Sequence, residues 1–257
     1  MNDSMDSVQR FTSRADVYAR YRPGYPAELV QFLEEVEFLR PGAVLADVGS
    51  GTGKLSQLLL DAGYTVWGIE PNDAMRAYAE KHFAHNPRFV SIAASAESTG
   101  LQDASFDMVV AGQAFHWFEP DEARKEFQRV LRPPYRVAII RNDRQPYEAG
   151  FSPAYDALVE RHCHQYRSIR NRYHHGPTLE KFFRPNGYRM GVFPHEEKLD
   201  WEALRGRLLS SSYVPWEGPV HDALFSELRI LFDEYKEEGQ ITFCYDTLVF
   251  YGCLGHS

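Results

Sequence analysis

Between Val44 and Gly53 the chain reads VLADVGSGTG, an apolar run carrying one acid, Asp47, that leads into glycines at 49, 51 and 53. A helical pattern begins at Lys54, so the segment reads as a buried parallel strand, a tight turn and a helix start. Ligands in open α/β sheets lie beyond the carboxyl ends of the strands, where Asp47 stands. A carboxylate there repels a pyrophosphate and attracts an ammonium group. A second acid, Glu70, closes the next apolar run, TVWGIE, about 20 residues after the glycines, where a carboxylate can accept hydrogen bonds from both hydroxyls of a ribose. The expected ligand therefore has an adenosine-like ribose and a cationic group in place of phosphates.

S-adenosylmethionine meets both requirements. Nucleotide alternatives fare worse. A phosphate loop ending in GTGK needs a glycine where Val48 sits and a magnesium-binding hydroxyl where Leu55 sits. The dinucleotide fingerprint needs its third glycine where Lys54 stands, which weakens a nicotinamide-dependent oxidoreductase without removing it. No G-x-S-x-G elbow supplies a hydrolase nucleophile.

The elements that must position these acids alternate. Phe11, Ala15, Tyr18 and Arg22 recur at helical spacing, RPGYP breaks the chain, and a second helix places Leu29, Phe32, Leu33 and Val36 on one face. Then follow VLADV, a helix through Leu55, Leu58 and Leu59, TVWGIE, a helix from Asn72, RFVSIAA, FDMVVA, a helix over Ala123 to Leu131, and RVAIIR from Arg136. Such alternation predicts a parallel sheet covered on both faces. Beyond Asn142 an aromatic, His- and Arg-rich segment to about Pro185 reads as helical cover, and two more strands are expected at Tyr188 to Phe193 and Ile241 to Leu254. The expectation is an α/β fold with a doubly wound, mostly parallel seven-stranded sheet of Rossmann-like type. It forms a single domain over 1–257, with N-terminal helices or lid at 1–40, a cofactor-binding core at 41–142, and helical cover and final strands at 143–257.

Composition limits the partners. The 257 residues carry 28 Lys+Arg against 36 Asp+Glu, a formal charge of -8, with no long basic run, so nucleic acid is not an expected partner. The three cysteines, Cys163, Cys244 and Cys253, are too few and scattered for a disulfide framework or a four-cysteine zinc site. RHCHQY with His174 and His175 lacks a carboxylate at ligand spacing, so no metal is expected. MNDSMDSVQRF lacks the basic start and apolar stretch of a signal peptide, and no run approaches the roughly 20 apolar residues that span a bilayer. A cytoplasmic protein without membrane association is expected.

VLADVGSGTG, the acid in GIEPN, AASAES and FDMVVAGQAFHWF stand in the order and spacing found in class I S-adenosylmethionine-dependent methyltransferases, which this chain resembles over most of its length. The flanks ADVYARYRPGYP, LLSSSYVP and TFCYDTLVFYG resemble the small-molecule group related to trans-aconitate methyltransferases, within methyltransferase type 11. The resemblance implies that Asp47, Gly49 and Gly51 hold the methionine end of the cofactor, Glu70 the ribose, and Ala96 and Glu97 the adenine edge. It also implies that Gln113 to Trp117 line the cofactor and its methyl. One departure is RPPYR at Arg132 to Arg136, within LRPPYR, where the family usually has a glycine pair, so Pro134 and Tyr135 must turn differently.

The remaining expectations concern the acceptor. Tyr18 and Arg22 are expected to close over the cofactor, since aromatic faces suit a sulfonium. His116 is a candidate general base or acceptor donor, Trp117 an acceptor contact, and Arg141 and Arg144 cations that orient an acceptor carboxylate. The expected reaction moves a methyl group to oxygen, as carboxylate or hydroxyl, of a small molecule. A cofactor-binding protein without turnover is the other alternative.

Overall fold

The computed structural model describes residues 14–36, 38–145, 150–167 and 176–255. Five strands run parallel: β1 (Val44–Val48), β2 (Thr65–Ile69), β3 (Phe89–Ile92), β4 (Phe106–Gly112) and β5 (Leu131–Arg144). The last two, β6 (Arg189–Leu199) and β7 (Ile241–Cys253), form an antiparallel pair, and β7 lies antiparallel beside β5, giving the order β3-β2-β1-β4-β5-β7-β6. The sheet is thus seven-stranded and mostly parallel.

Side-chain alternation explains why it is covered twice. Leu45, Met108 and Val110 face α2 (Glu28–Glu35) and α3 (Lys54–Asp61), packing with Leu29, Leu33, Leu55 and Leu59. Ala46, Val48, Val109 and Ala111 face the other way, onto Phe127 and Val130 of α5 (Pro120–Val130). Each fully buried Leu or Val contributes roughly 1.5–3 kcal/mol, so a slip of one residue would expose a whole apolar face. Between β2 and β3, α4 (Asp73–His82) starts where Asn72 Oδ1 accepts from Met75 N at 3.0 Å, an N-cap.

Two strands run longer than the sequence suggests. β6 continues through His195, Glu196, Glu197 and Lys198, an edge strand whose charged residues hide its alternation. β5 begins at Leu131 rather than Arg136. Phe106 pairs with Leu131 but Met108 pairs with Arg136, so the extra residues of LRPPYR bulge out between them, with Tyr135 at φ +64° in the left-handed region.

Beyond the carboxyl ends of the parallel strands sits a third packed unit. There Arg144 of β5 pairs with Tyr245 of β7, and α6 (Phe151–His162), α8 (Trp201–Leu209) and α9 (Pro219–Tyr235) enclose Phe151, Leu158, Leu204, Leu228 and Phe243. A further helix, α7 (Gly176–Phe182), packs Phe182 against Phe127 on the sheet's own face.

The first helix, α1 (Ala15–Tyr21), is fastened to this unit by two arginines. Arg14 donates to the carbonyls of Leu209 at 3.1 Å, Val214 at 2.5 Å and Ser211, while Arg207 Nε donates to the carbonyl of Tyr21. Phe11, expected on the same helix face, lies outside the described residues. The close approach requires Gly206, since a Cβ there would lie 2.3 Å from Tyr21 Cδ2. Gly206→Ala should therefore push α1 off α8. Hydrogen exchange at 15–22 is expected to accelerate by about tenfold, the change that roughly 1.4 kcal/mol of local opening produces, while exchange in β1 and β4 stays unchanged.

Candidate functional site

A cavity of about 880 Å³ opens at the carboxyl ends of β1, β2, β4 and β5, floored by the glycine turn and walled by α1 and the third unit. Gly49 carries φ +70°, and a Cβ on it would meet Ala114 Cβ at 2.4 Å, so no other residue fits the turn. The turn is tied to the next strand by Glu70, whose Oε2 accepts from Gly51 N and Oε1 from Asn72 N, both at 2.8 Å. Burial raises the Glu70 pKa, and the two backbone donors oppose it. Each oxygen keeps a second lone pair for a ligand hydroxyl.

Asp47 is fully buried at the edge of the same cavity. Ser56 Oγ donates to its Oδ2 at 2.6 Å, and its Oδ1 has no hydrogen-bond partner among the described residues. Burial, seconded by the charge of Glu70 and opposed by the Ser56 bond, pushes the carboxyl up to about 7. A lone carboxylate oxygen beside a second carboxylate is costly unless a cation or donor joins it. These two acids and the open turn fit an adenosine that carries an ammonium, and they disfavour a pyrophosphate.

The other expected cofactor contacts line the same cavity. Tyr18 and Arg22 close its α1 side, the Arg22 guanidinium 5.3 Å from the Tyr18 ring and donating to Ser210 O and Ser211 Oγ at 3.3 Å. Burial raises the Tyr18 pKa. Ala96 is buried, and Glu97 holds the start of α5 by accepting from Glu119 N at 2.9 Å. Gln113 takes φ +57°, a strained setting fixed by Gln113 N donating to Ile140 O at 2.9 Å and its Nε2 donating to Asn142 O at 3.0 Å. His116 and Trp117 follow in a 3₁₀ turn (Phe115–Trp117), their rings 4.8 Å apart, and both border the cavity.

Of the two expected acceptor arginines, the structure brings one to the cavity. Arg144 lines it, but Arg141 does not. Three positions apart on one strand, they leave it on opposite faces, and Arg141 lies 5.5 Å from the Phe250 ring, paired with Asp143 at 2.7 Å. Arg144 is clamped between the rings of Tyr155 and Phe243 at 4.9 and 5.3 Å. Its Nη2 donates to Tyr166 OH at 2.6 Å and to Asp156 Oδ1, Tyr166 OH donates to the same Oδ1 at 2.6 Å, and Arg144 Nη1 is buried without a hydrogen-bond partner among the described residues.

The cavity lining also contains what the sequence reading missed: Lys54, Asn142, Tyr155, Tyr166, Arg207, Tyr213 and Tyr245. Arg207 Nη1 donates to Tyr245 OH at 2.6 Å and Nη2 to Glu197 Oε2 at 2.5 Å. The lining thus carries the buried acids Asp47 and Glu70 on one side and Arg144 and Arg207, set among tyrosines, on another, with Lys54 following the glycine turn. A trace of the tyrosine-lined side was visible in RHCHQY, whose useful member is Tyr166 and not its histidines. His174 and His175 lie outside the described residues. Among the described residues no three His, Cys, Asp or Glu groups could hold a metal, and no helix is long and apolar enough to cross a membrane.

Comparison with known proteins bears on the same region. Residues 46–139 match the methyltransferase domain family. An uncharacterized methyltransferase of Mycobacterium bovis is 36% identical over 139 residues, a stretch spanning about half of each protein, 54% of this chain and 54% of the relative. An uncharacterized methyltransferase-like protein of Schizosaccharomyces pombe is 26% identical over 256 residues, covering 95% of this chain and 96% of that one. Among solved structures, a candidate type II methyltransferase from Anaeromyxobacter dehalogenans superposes with a TM-score of 0.65 at 26% identity, over 92% of this chain and 100% of that chain.

Proposed function

We propose that the chain is a class I S-adenosylmethionine-dependent methyltransferase, a reading supported by the match of residues 46–139 to the methyltransferase domain family, and that it binds S-adenosylmethionine at Asp47 and Glu70 and methylates an oxygen, carboxylate or hydroxyl, of a small molecule held near Arg144. The observation that carries this reading is the buried Oδ1 of Asp47, without a hydrogen-bond partner among the described residues, beside a glycine turn tethered by Glu70. Asp47 would hold the α-ammonium, Glu70 the ribose hydroxyls, Ala96 and Glu97 the adenine edge, and Tyr18, Arg22 and Gln113 the cover. Gly49 and Gly51 would let the backbone approach.

Bound there, the cofactor supplies a methyl group on a sulfonium that is already a good leaving group. What the protein must add is alignment and exclusion of water. The third unit and α1 roof the cavity. Arg144 is held rigidly enough by two rings and a carboxylate to orient an acceptor oxygen. For a carboxylate acceptor no proton has to be removed. For a hydroxyl, His116 is the imidazole at the cavity wall that can take it. A nicotinamide-dependent oxidoreductase is disfavoured by the charge of Asp47 against a pyrophosphate.

Two measurements test the proposal: calorimetric binding of S-adenosylhomocysteine, and labelled-methyl transfer to a panel of acids, phenols and amines. Binding without transfer to any panel member would favour a cofactor-binding protein without turnover. His116→Ala then assigns the imidazole. The expected result is weaker acceptor binding with S-adenosylhomocysteine affinity unchanged, the signature of acceptor positioning. A fall of about 10² or more in single-turnover rate would instead identify a general base. A lower melting temperature with normal turnover per folded molecule would reduce it to a packed ring.

A further inference from the structure

The proposed function uses Arg144 but leaves its cross-strand neighbour without a task. Tyr245 of β7 lies directly opposite Arg144 of β5, and opposite residues of an antiparallel pair stand on the same face of the sheet. Both line the cavity. The Tyr245 ring is buried, stacked on His195 at 5.4 Å and tilted against Phe243 at 6.0 Å, so it has little freedom to swing.

The hydroxyl of Tyr245 is only half satisfied. A phenol oxygen can accept a hydrogen bond and must also place its own proton. The oxygen accepts from Arg207 Nη1 at 2.6 Å, and the proton meets no acceptor among the described residues. Arg207 is held from three sides, since its Nη2 donates to Glu197 Oε2 at 2.5 Å and its Nε to the carbonyl of Tyr21, the last residue of α1. With the guanidinium fixed against one side of the phenol oxygen, the proton must point elsewhere. A bond from a cation also draws charge from that oxygen and strengthens the proton as a donor. Burial raises the phenol pKa, opposed by Arg207 and Arg144, so the group keeps its proton at neutral pH. A buried donor of this kind calls for a ligand atom with lone pairs, and the residue opposite it, Arg144, has a second such donor in Nη1.

We propose that Tyr245 is an acceptor-binding residue whose hydroxyl, aimed by Arg207, donates to an oxygen of the methyl acceptor other than the one that is methylated. An oxygen that accepts from a strong donor has its lone pairs engaged and attacks carbon more slowly, so this donor suits the spectator oxygen. In a carboxylate the spectator is the second oxygen, and in a phenol or alcohol it belongs to a neighbouring group. Arg207 is then a positioning residue that links α1 to the donor seen by the acceptor. The inference rests on the proposed methyltransferase function.

The test uses the full chain, the variant Tyr245→Phe, and protein carrying at position 245 a tyrosine fluorinated beside its hydroxyl. S-adenosylhomocysteine is titrated into each, and unchanged affinity is expected, because Asp47 and Glu70 hold the cofactor in the proposed function. Labelled-methyl transfer to benzoate, succinate, salicylate and catechol then selects the probe, the acceptor methylated fastest. Tyr245→Phe should raise the KM for that probe by about tenfold, as loss of one hydrogen bond would, and the effect should fall on KM and not on kcat. The melting temperature of this variant should fall, because Arg207 loses an acceptor. The fluorinated protein separates the two effects, since it keeps the hydroxyl and its bond to Arg207. Its fluorine resonance should shift when the probe is added at saturating S-adenosylhomocysteine, and its KM should stay at or below the wild-type value, because fluorine makes the hydroxyl a stronger donor. An unchanged KM in Tyr245→Phe, or a resonance that the probe does not move, overturns the inference. So does a rise in kcat in Tyr245→Phe, which would put the donor on the reacting oxygen, or a loss of S-adenosylhomocysteine affinity in that variant, which would assign Tyr245 to the cofactor. Failure of the wild-type protein to bind S-adenosylhomocysteine, or to methylate any of these acceptors, is a different result: the proposed function then fails, and the inference with it.

Discussion

Asp47→Asn should raise the melting temperature of the ligand-free protein at pH 8 and, in the same molecule, remove most of its affinity for S-adenosylmethionine. A carboxyl whose pKa is pushed from 3.8 to about 7 costs the folded state roughly 4 kcal/mol once it is ionised. The sign follows from proton binding. The folded state holds this proton more tightly than the unfolded chain, so the contribution is fully present below about pH 4 and is lost as pH rises through about 7. An asparagine can keep an oxygen for Ser56 without the charge, so the stability gap between variant and wild type should widen from pH 5 to pH 8, by several degrees in melting temperature. Its amide would face the position where the ligand's ammonium sits, and affinity should fall about tenfold to a hundredfold. Wild-type affinity itself should decline as pH drops below 7 and Asp47 takes up its proton. Equal melting curves for the two proteins at every pH would remove the burden assigned to Asp47. Unchanged calorimetric affinity would remove its role.

This coupling of cost and function also explains which parts of the site were legible in the sequence. Asp47, the glycines and Glu70 act through local rules: an acid at a strand end, a turn that admits only glycine at Gly49, and a fixed spacing to the next strand end. Such rules are written within about 20 residues, the span of one βα unit and its following strand. The alternation of apolar runs likewise gave the parallel strands and the two-sided packing, because Leu45 and Ala46 must face different helices. The side set with arginines and tyrosines follows no local rule. Tyr155, Tyr166, Arg207 and Tyr245 come from α6, the turn after it, α8 and β7, and meet only because β7 inserts antiparallel beside β5. Arg141 and Arg144 looked equivalent in the sequence, yet strand alternation sends just one of them to the cavity; LRPPYR stood out as a turn made differently, but that it starts β5 early and bulges between Leu131 and Arg136 is a property of the sheet register. Lys54 was visible as the residue that spoils a dinucleotide fingerprint, but its place in the cavity lining is a property of the fold.

Glu70→Ala should have the broader consequences of the two cofactor-acid variants, because this carboxylate holds protein and ligand together. It accepts from Gly51 N and Asn72 N at 2.8 Å each, so its removal leaves two backbone donors without their partner and frees the glycine turn from β2. Charge-assisted bonds of this kind contribute roughly 1.5–3 kcal/mol apiece. Part of that loss is recovered as water enters the space, and some because a buried carboxylate with a raised pKa is itself costly. The net expectation is a modest drop in melting temperature together with a fall in S-adenosylhomocysteine affinity of about tenfold or more. Glu70→Gln sharpens the assignment. A glutamine offers one oxygen, so one of the two N–H groups must face an amide that donates as well, and the turn should loosen even though the side chain keeps its size. Hydrogen exchange at Gly51 and Asn72 should therefore accelerate in both variants, and faster exchange at only one of the two amides in Glu70→Gln would show which bond the surviving oxygen keeps. A ribose-free probe separates the two roles of the carboxylate. Methionine binding should fall only through the loosened turn, and S-adenosylhomocysteine binding through the turn and the lost ribose contacts together. If both ligands weaken by the same factor, Glu70 acts on the turn alone and the ribose must be held elsewhere.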